Sequence, residues 1–335
     1  MRITGAAAAS IVLYFVAGAC DCPNPPGPFF PVKKDGKYGF IDRSGKIMIR
    51  PQFDQADENF SQLAAVRTGG VWGFIDKRGR MKIEPRFESA WPFSCYSRQG
   101  PMAAVKINGL WGYVDYNGRE VIRPKFDFAS FCGDDLHAAV SVRGWWGFIN
   151  TKGEFTVPPK YDAVGPYFSD GLATVEWMDK WGAIDTKGNV VIPLKHEMLL
   201  PFSEGLAPFS KNDGEQWGFL DTKGNEAIPA AFDYVWPFSE GLAPVIKEDR
   251  RMYIDKTGAP AITGDYDRAT VFSEGLAAVM KGGKWGYINK TGRQVITLDK
   301  CDFASPFGAG LALIYVDDKT GYIDPMGKRV WEPTK

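Results

Sequence analysis

Residues 284–292, with the sequence Lys-Trp-Gly-Tyr-Ile-Asn-Lys-Thr-Gly, decide the fold of this chain, because variants of this stretch return along nearly its whole length. Seven copies keep an aromatic residue followed by glycine: Tyr38-Gly39, Trp72-Gly73, Trp111-Gly112, Trp146-Gly147, Trp181-Gly182, Trp217-Gly218 and Trp285-Gly286. Met252-Tyr253 and Thr320-Gly321 stand in the same place in two less regular copies. Successive copies begin 33 to 39 residues apart. A period of this length indicates an array of small supersecondary units and not a conventional enzyme domain.

The sequence pattern of each unit predicts three short strands. The aligned copies share Phe-Ser-Glu-Gly-Leu-Ala-x-Val, then Trp-Gly-aromatic-Ile-Asp, then Val-Ile-x-Pro-x-Phe-Asp. Asp185-Thr186-Lys187-Gly188 is typical of the turn after the second strand: Asp can accept bonds from backbone amides of a type I turn, and Gly can adopt the left-handed conformation that follows. We therefore expect an all-β protein, a tandem array of about nine three-stranded meander or hairpin units of about 35 residues.

The shape of the array follows less directly from the sequence. Nine units exceed the usual 4 to 8 blades of a β-propeller, and three strands are fewer than the four of a blade. Tyr38 and Thr320 replace Trp in the terminal copies, as expected where an end unit lacks a neighbour. These observations favour an open curved superhelix, and the alternative is a closed, β-propeller-like ring.

The aromatic-glycine pair is interpreted as a packing feature. The predicted repeat core consists of the Trp-slot rings Trp72, Trp111, Trp146, Trp181, Trp217 and Trp285. An Ala recurs in the first strand of eight copies, for example Ala207 and Ala243, which suggests close contact with the Trp of the same hairpin. Tyr253, placed in the glycine slot, suggests an extended backbone there, so that glycine would supply room for a ring.

The first nineteen residues lie outside the repeat. Arg2 is their only charge, residues 5–16 are apolar or small, and Ala17-Gly18-Ala19 precedes Cys20. Because this apolar core is shorter than a membrane-spanning helix, residues 1–19 are predicted to be a signal peptide, with an uncleaved anchor as the alternative. Residues 20–33 form a Cys- and Pro-rich tether, and residues 34–335 form the repeat domain.

These motifs together resemble the WG-repeat proteins, also called KWG-repeat proteins. Phe-Ser-Glu-Gly-Leu-Ala at 272–277, Lys-Trp-Gly-Tyr-Ile-Asn at 284–289 and Lys-Thr-Gly-Arg at 290–293 carry the resemblance, which spans residues 34–333. It implies a bacterial β-repeat protein, often exported, that works by binding and not by catalysis. The segment ending in Cys20 also resembles the lipobox of bacterial lipoproteins, although Ala17 departs from the usual Leu, Val or Ile. Cys20 is therefore a lipidation candidate, and plain secretion is the alternative.

No catalytic, cofactor or metal site is predicted. A carboxylate recurs after the Phe-Asp aromatic in eight copies, but a repeated slot gives each copy the same surroundings, whereas a catalytic pair needs two different ones. We interpret these carboxylates as loop caps; the eight are Asp54, Glu88, Asp127, Asp162, Glu197, Asp233, Asp267 and Asp302. His137 and His196 are the only histidines, and no nucleophile motif or phosphate loop is present.

Two of the five cysteines are predicted to pair. Cys95 follows Phe93 and Cys132 follows Phe131, so both lie between the units of adjacent copies, and we expect a Cys95–Cys132 disulfide in an oxidising compartment. Cys301 occupies a Phe slot and is expected to pack as a small apolar side chain.

The predicted function is a non-catalytic scaffold for protein–protein interaction, exported to the bacterial cell envelope, periplasm or exterior. Lys plus Arg and Asp plus Glu both number 40 and no basic run stands out, which argues against nucleic acid. The partner is an envelope or extracellular protein, with membrane attachment through Cys20 if it is lipidated. The alternative is a cell-wall or polysaccharide binder that uses Trp91 and Trp236, the two Trp residues expected in exposed loops.

Overall fold

The repeats form a succession of small antiparallel β-sheets in a computed structural model that describes residues 29–58, 62–97, 100–132 and 136–334. Nine sheets, numbered here in chain order, lie within these ranges, with one 3₁₀ helix at Asn212–Gly214. Sheet 1 comprises β1 Phe30–Lys34, β2 Lys37–Ile41 and β3 Ile47–Phe53, and sheet 2 comprises β4 Gln55–Ala56, β5 Leu63–Thr68, β6 Val71–Asp76 and β7 Met81–Phe87. Sheet 3 comprises β8 Ser89–Ala90, β9 Cys95–Ser97, β10 Gly100–Ile107, β11 Leu110–Val114 and β12 Glu120–Phe126. Sheet 4 comprises β13 Phe128–Cys132, β14 Ala138–Val142, β15 Trp145–Ile149 and β16 Phe155–Tyr161.

The remaining sheets repeat the same order of strands. Sheets 5 to 7 comprise β17 Ala163–Val164, β18 Leu172–Trp177, β19 Lys180–Asp185, β20 Val190–His196; β21 Met198–Leu199, β22 Leu206–Lys211, β23 Gln216–Asp221, β24 Glu226–Phe232; and β25 Tyr234–Val235, β26 Ala243–Lys247, β27 Arg250–Ile254, β28 Pro260–Thr263. Sheets 8 and 9 comprise β29 Arg268–Ala269, β30 Leu276–Lys281, β31 Lys284–Asn289, β32 Gln294–Thr297; and β33 Phe303–Ala304, β34 Ala312–Val316, β35 Lys319–Ile323, β36 Arg329–Thr334.

The prediction of an all-β protein is confirmed, as are the three strands of each repeat. Eight of the nine described sheets have more than three strands. Most sheets gain a two-residue strand directly after the Phe-Asp corner, as where Tyr234-Val235 pairs with Ile246 and Val245. Sheet 1 has three strands and sheet 3 has five. The corner aromatic ends one sheet and the residue after Asp begins the next, so a single acidic residue joins neighbouring sheets.

The turn after the second strand has the geometry that its sequence predicts. In sheet 6, Asp221 Oδ1 accepts hydrogen bonds from the amides of Lys223 and Asn225 at 2.9 and 2.8 Å. Gly224 donates to the Asp221 carbonyl and has φ of +84°, which glycine adopts without the steric cost of a Cβ.

The strand register corrects the position of Tyr253. Val245 is opposite Met252 and Ile246 is opposite Arg251, exactly as Val279 and Met280 are opposite Gly286 and Trp285 in sheet 8. Met252 therefore occupies the glycine slot, Arg251 the Trp slot, and Tyr253 the buried aromatic position that follows. The prediction of Tyr253 in the glycine slot was wrong by one residue, because a copy without Trp and Gly offers no anchor for the alignment.

The apolar core lies between successive sheets. One cluster joins Trp217, Phe219 and Ile228 of sheet 6 with Ala243 and Val245 of sheet 7. Burying one face of each sheet against its neighbour explains why a unit cannot be stable alone. The recurrent Ala is fully buried. It packs with the Trp-slot residue of the preceding sheet, whereas the sequence suggested contact with the Trp of its own hairpin.

The chain divides into two compact units. The first contains residues 29–161, 319–321 and 330–334 of the described chain, and the second contains residues 162–318 and 322–329. Within the first unit, a Cβ on Gly45 would overlap the backbone carbonyl of Val330, so sheet 1 lies directly against β36. An open array has no contact between its first sheet and its last strand. The favoured open superhelix does not predict this contact, whereas the alternative, a closed β-propeller-like ring, would contain it.

Candidate binding surface

The predicted core tryptophans are buried or half-buried. Trp111, Trp181, Trp217 and Trp285 expose between 2% and 6% of their surface, whereas Trp72 and Trp146 are half-buried. The Trp217 indole N–H donates to the Gly214 carbonyl at 3.0 Å, and that of Trp285 donates to the Asp302 carbonyl at 3.1 Å. A satisfied N–H and a buried ring are what a Trp needs as a structural residue.

Trp91 and Trp236, predicted to be exposed, are both half-buried. Trp91 stacks on Trp111 at 6.2 Å between ring centroids, and its indole nitrogen is buried with no partner in the described residues. Trp236 packs edge-on against Tyr234 at 4.7 Å. The sequence placed them in loops, but the short extra strand draws each loop onto the sheet: the Trp91 and Trp236 amides bond to the carbonyls of Ala104 and Pro244. The polysaccharide interpretation thus loses its two exposed rings.

The cysteine predictions fall mostly outside what the structure describes. Cys20 lies outside the described residues. Cys95 is paired with Met102 in the backbone register and Cys132 with Ala138, but their side chains are likewise outside the description, so the disulfide stays a prediction. Cys301 is a free, half-buried thiol that packs beside the core of sheets 8 and 9, and burial raises its pKa.

The recurrent carboxylates cap hairpin turns. Asp162 Oδ2 accepts a hydrogen bond from the Met178 amide at 2.8 Å, and Asp267 Oδ2 accepts one from Gly283 at 3.0 Å. Asp54, Glu88, Asp127, Asp233 and Asp302 accept equivalent bonds from their own hairpins. At Asp54 the Lys37 ammonium and the Gly69 amide hold the pKa of the carboxyl below its usual range. The interpretation as loop caps agrees with these bonds.

The hairpin turns between the first and second strands require left-handed backbone at their tips. Five of them end on glycine or are all glycine, as at Asn108-Gly109 and Gly282-Gly283. Three in the second unit use no glycine: Met178-Asp179, Glu248-Asp249 and Asp317-Asp318, all with φ between 50° and 59°. Asp tolerates this region better than most residues, whereas an apolar side chain is seldom found there.

The hairpin of sheet 5 is therefore unusual, and we call Trp177-Met178 the apolar tip. Met178 has φ of 51° and is 75% exposed, and the neighbouring Trp177 is 37% exposed. A left-handed Met costs about 1–2 kcal/mol relative to ordinary backbone. The hydrogen bond from its amide to Asp162 stabilises the turn, but nothing about folding calls for an apolar side chain at that position.

Carboxylates surround the apolar tip. Asp162 and Asp179 lie close to Glu176, which is itself 7% exposed. Burial, together with the charges of Asp162 and Asp179, raises the pKa of Glu176, while a hydrogen bond with Trp181 opposes that shift. Two exposed carboxylates, Asp162 and Asp179, thus lie beside the apolar pair.

The described residues offer no other chemistry of note. They contain no cluster of three or more His, Cys, Asp or Glu side chains able to hold a metal ion. His196 is half-buried against Phe209, and burial lowers the pKa of its imidazole. None of the helices in these ranges is long and apolar enough to cross a membrane.

The sequence analysis did not single out Met178. The available signal was the length of the hairpin. In sheet 5 only two residues separate paired Trp177 and Lys180, and a two-residue hairpin of type I′ requires left-handed backbone at both positions. Met is energetically unfavourable in such a turn, so the sequence could have identified Met178 as an unusual residue.

Comparison with known proteins agrees with this architecture. No curated protein matches the sequence significantly. The crystal structure of a eukaryotic initiation factor is similar in fold, with a TM-score of 0.64 and 12% identity over 90% of this chain and 94% of that one. Hsv2p of Kluyveromyces lactis matches with a TM-score of 0.44 and 11% identity over 67% of this chain and 89% of its own. At 12% identity the likeness to the initiation factor concerns the fold alone.

The sequence itself matches the family model described as WG containing repeat. Eight tandem matches cover residues 38–72, 72–111, 111–144, 146–178, 181–214, 217–250, 252–285 and 285–319. The match covers most of the chain, in the register of the sheets described above. The protein therefore belongs to the family built from the WG containing repeat.

Proposed function

We propose that this protein is a non-catalytic repeat scaffold of the bacterial cell envelope that binds another protein through the apolar tip. The observation that carries the proposal is Met178, an apolar side chain 75% exposed in a left-handed turn, beside the half-exposed Trp177. Strained backbone kept at an exposed position is a sign of function, since a Gly or Asn there would be more stable. Trp and Met are also enriched in protein interfaces relative to other surfaces.

The chemistry of the tip defines its partner. An exposed Trp-Met pair fits a small apolar pocket, and the exposed carboxylates of Asp162 and Asp179 beside it favour basic groups at the rim of that pocket. Interfaces commonly join a buried aromatic anchor to a polar rim that sets orientation and association rate. The partner is therefore a folded protein with an apolar pocket bordered by Lys or Arg.

The absence of catalysis belongs to the same proposal. Seven of the recurrent carboxylates accept bonds from turn amides, so they are used by the fold. General acid–base chemistry needs groups in distinct environments that converge on one reacting atom.

Export and membrane attachment complete the proposal. Residues 1–19 have the composition of a signal peptide, and Cys20 is the residue that a lipoprotein would acylate. Mass analysis of the mature amino terminus tests this part: a chain that begins at a diacylated Cys20 supports it, and a chain that retains residues 1–19 contradicts export by cleavage.

Photo-crosslinking in the native bacterium tests the binding site. A photoreactive residue at position 178 should give one specific protein adduct, whereas the same residue at Glu248, in the left-handed turn of sheet 7, should give none. With the purified partner, Trp177→Ala should weaken binding by about thirtyfold, as expected of an interface anchor. Equal adducts at both positions, or binding unchanged by Trp177→Ala, would contradict the proposal. Met178→Asn, which suits the turn, separates loss of the side chain from loss of the fold.

A further inference from the structure

Basic residues accumulate on one repeated segment of the first unit. This segment comprises the Asp turn and the third strand of sheets 1 to 4, residues 42–53, 76–87, 115–126 and 150–161, and we call it the basic face. It contains 13 Lys or Arg and 6 Asp or Glu, although the whole chain has 40 of each. The equivalent segments of the second unit contain 7 Lys or Arg and 6 Asp or Glu; they are residues 185–196, 221–232, 255–266 and 289–300. The excess of positive charge is thus a property of the first unit and not of the repeat.

The four segments form one continuous surface. A Cβ on Gly79 of sheet 2 would lie 3.0 Å from the Ile49 side chain of sheet 1, and one on Gly153 of sheet 4 would lie 3.0 Å from Ile122 of sheet 3. Arg86 of sheet 2 donates to the Gly118 carbonyl of sheet 3 at 2.5 Å. The turns of sheets 2, 3 and 4 therefore rest on the third strand of the preceding sheet, so the four basic segments are adjacent.

Several of these cations are available to a ligand. Arg78, Arg119 and Lys152 lie at exposed turn positions and form no ion pair within the ranges that the structure describes. Arg80, by contrast, is paired with Asp76 at 2.7 Å. A shallow depression lies beside Arg78 in sheet 2, lined by Gln62, Asp76, Lys77, Arg78 and Arg80. The surface offers cations and a place for an anionic group between them.

Apolar side chains are interleaved with the cations. They stand at the beginning of the third strands, directly after the basic turns: Ile47 and Met48 are 41% exposed, Val121 36% and Phe155 42%. A soluble polyanion is bound by cations alone, through release of counterions, and gains nothing from exposed aliphatic groups. Protein interfaces are depleted of Lys at their centre. Cations interleaved with exposed apolar groups are the combination that binds the headgroup region of an anionic bilayer.

We propose that the basic face binds the surface of an anionic lipid bilayer, with Arg78, Arg119 and Lys152 against lipid phosphates and Met48, Val121 and Phe155 in the headgroup region. This contact is independent of the apolar tip and of any lipid on Cys20. It would hold the first unit against the membrane through the folded domain itself.

Vesicle co-sedimentation tests the proposal on the mature protein with Cys20→Ser, so that no lipid chain contributes. Binding to vesicles containing phosphatidylglycerol should exceed binding to pure phosphatidylcholine by at least about tenfold at physiological ionic strength. Combined Arg78→Glu, Arg119→Glu and Lys152→Glu should abolish this preference. The matched control is Lys187→Glu, Lys223→Glu and Arg293→Glu, which changes the same exposed turn positions and the same charge in the second unit.

A second set of variants separates a bilayer from a soluble polyanion. Combined Met48→Ser, Val121→Ser and Phe155→Ser should weaken vesicle binding by at least about threefold, since each removes apolar contact. The control, Val190→Ser, Val191→Ser and Val295→Ser, alters exposed residues of the equivalent strands. Equal binding to both kinds of vesicle overturns the proposal, as does equal loss in test and control. Binding to soluble polyglutamate that depends on the three cations, with no effect of the apolar variants, would assign the face to an acidic polymer instead.

Discussion

Sheets 6 and 7 carry the same repeat but treat the aromatic-glycine pair differently. In sheet 6, Trp217 and Phe219 are two residues apart, while their partners Phe232 and Ile228 are four apart, so β24 bulges beside Gly218. In sheet 7, Met252 and Tyr253 face Thr263 and Ile262 with no bulge at that point. A Cβ on Gly218 would lie 2.5 Å from the Ile228 carbonyl oxygen and 2.7 Å from the Ala230 nitrogen.

This difference shows what the repeated glycine is for. It makes room for the backbone of the third strand and not, as the sequence suggested, for a ring. Sheet 8 adds a third case: Gly286 faces an unbulged strand, yet a Cβ there would meet the Ile296 carbonyl and would lie 2.7 Å from the side-chain amide of Gln294. Glycine is thus required wherever the next strand comes close, and Met252 shows that a unit can be built with a side chain in the slot.

The largest effect in this comparison is expected at the Trp slot. Trp217 is 4% exposed and belongs to the cluster between sheets 6 and 7, so Trp217→Ala should lower the free energy of unfolding by about 3–5 kcal/mol. Arg251, in the same slot of sheet 7, is half-buried, and Arg251→Ala should cost less than about 1 kcal/mol. Urea unfolding measures both. Equal losses would mean that the slot, and not the ring, determines stability.

Substitutions in the glycine slot should destabilise both sheets, but for different physical reasons and by different amounts. Gly218→Ala adds a Cβ that backbone atoms of β24 already crowd, and should destabilise by about 2–3 kcal/mol. Met252→Gly removes a partly buried side chain and makes a strand residue more flexible, so it should also destabilise, by about 1 kcal/mol. Thermal unfolding of both variants checks the pair. A stable Gly218→Ala protein, or a gain in stability for Met252→Gly, would contradict the role assigned to the bulge.

Sequence alone was sufficient for features that a single unit determines. The Asp and Gly of the exit turn and the three main strands were predicted because each depends on residues a few positions apart. The contact of Gly45 with Val330 was not, because whether an array closes depends on small rotations summed over all its units. The fourth strand, such as Tyr234–Val235, is too short to show a period-two pattern.

The positions of the loop aromatic residues were predicted incorrectly for a different reason. Trp91 and Trp236 were assigned to loops, and the short strand that draws each of them onto its sheet has no signal of its own. Met178 was overlooked because apolar residues were sought as strand residues, whereas its meaning comes from the two-residue turn that contains it. The difference between copies that carries the proposed function is one residue in a hairpin.

The residue opposite the Trp slot extends the comparison to sheet 5 and gives the smallest expected effect. This position is Ser210 in sheet 6, Ile246 in sheet 7 and Glu176 in sheet 5. Burial and the neighbouring carboxylates raise the pKa of Glu176, so the folded state holds its proton more tightly than the unfolded chain does. The stability that this proton contributes is complete below the unfolded pKa of about 4.3 and is lost as the pH rises through the folded pKa.

Glu176→Gln removes that loss, because the amide stays neutral and can still accept the bond from Trp181. The melting temperature of the variant should therefore exceed that of the native protein at about pH 8 and approach it at about pH 4, where Glu176 is protonated in both states. Glu248→Gln, at the exposed turn of sheet 7, controls for removal of one acidic group. A difference of the same size at both pH values would mean that the carboxylate is solvated, and that sheet 5 tolerates an acid opposite Trp181 as easily as sheet 6 tolerates Ser210.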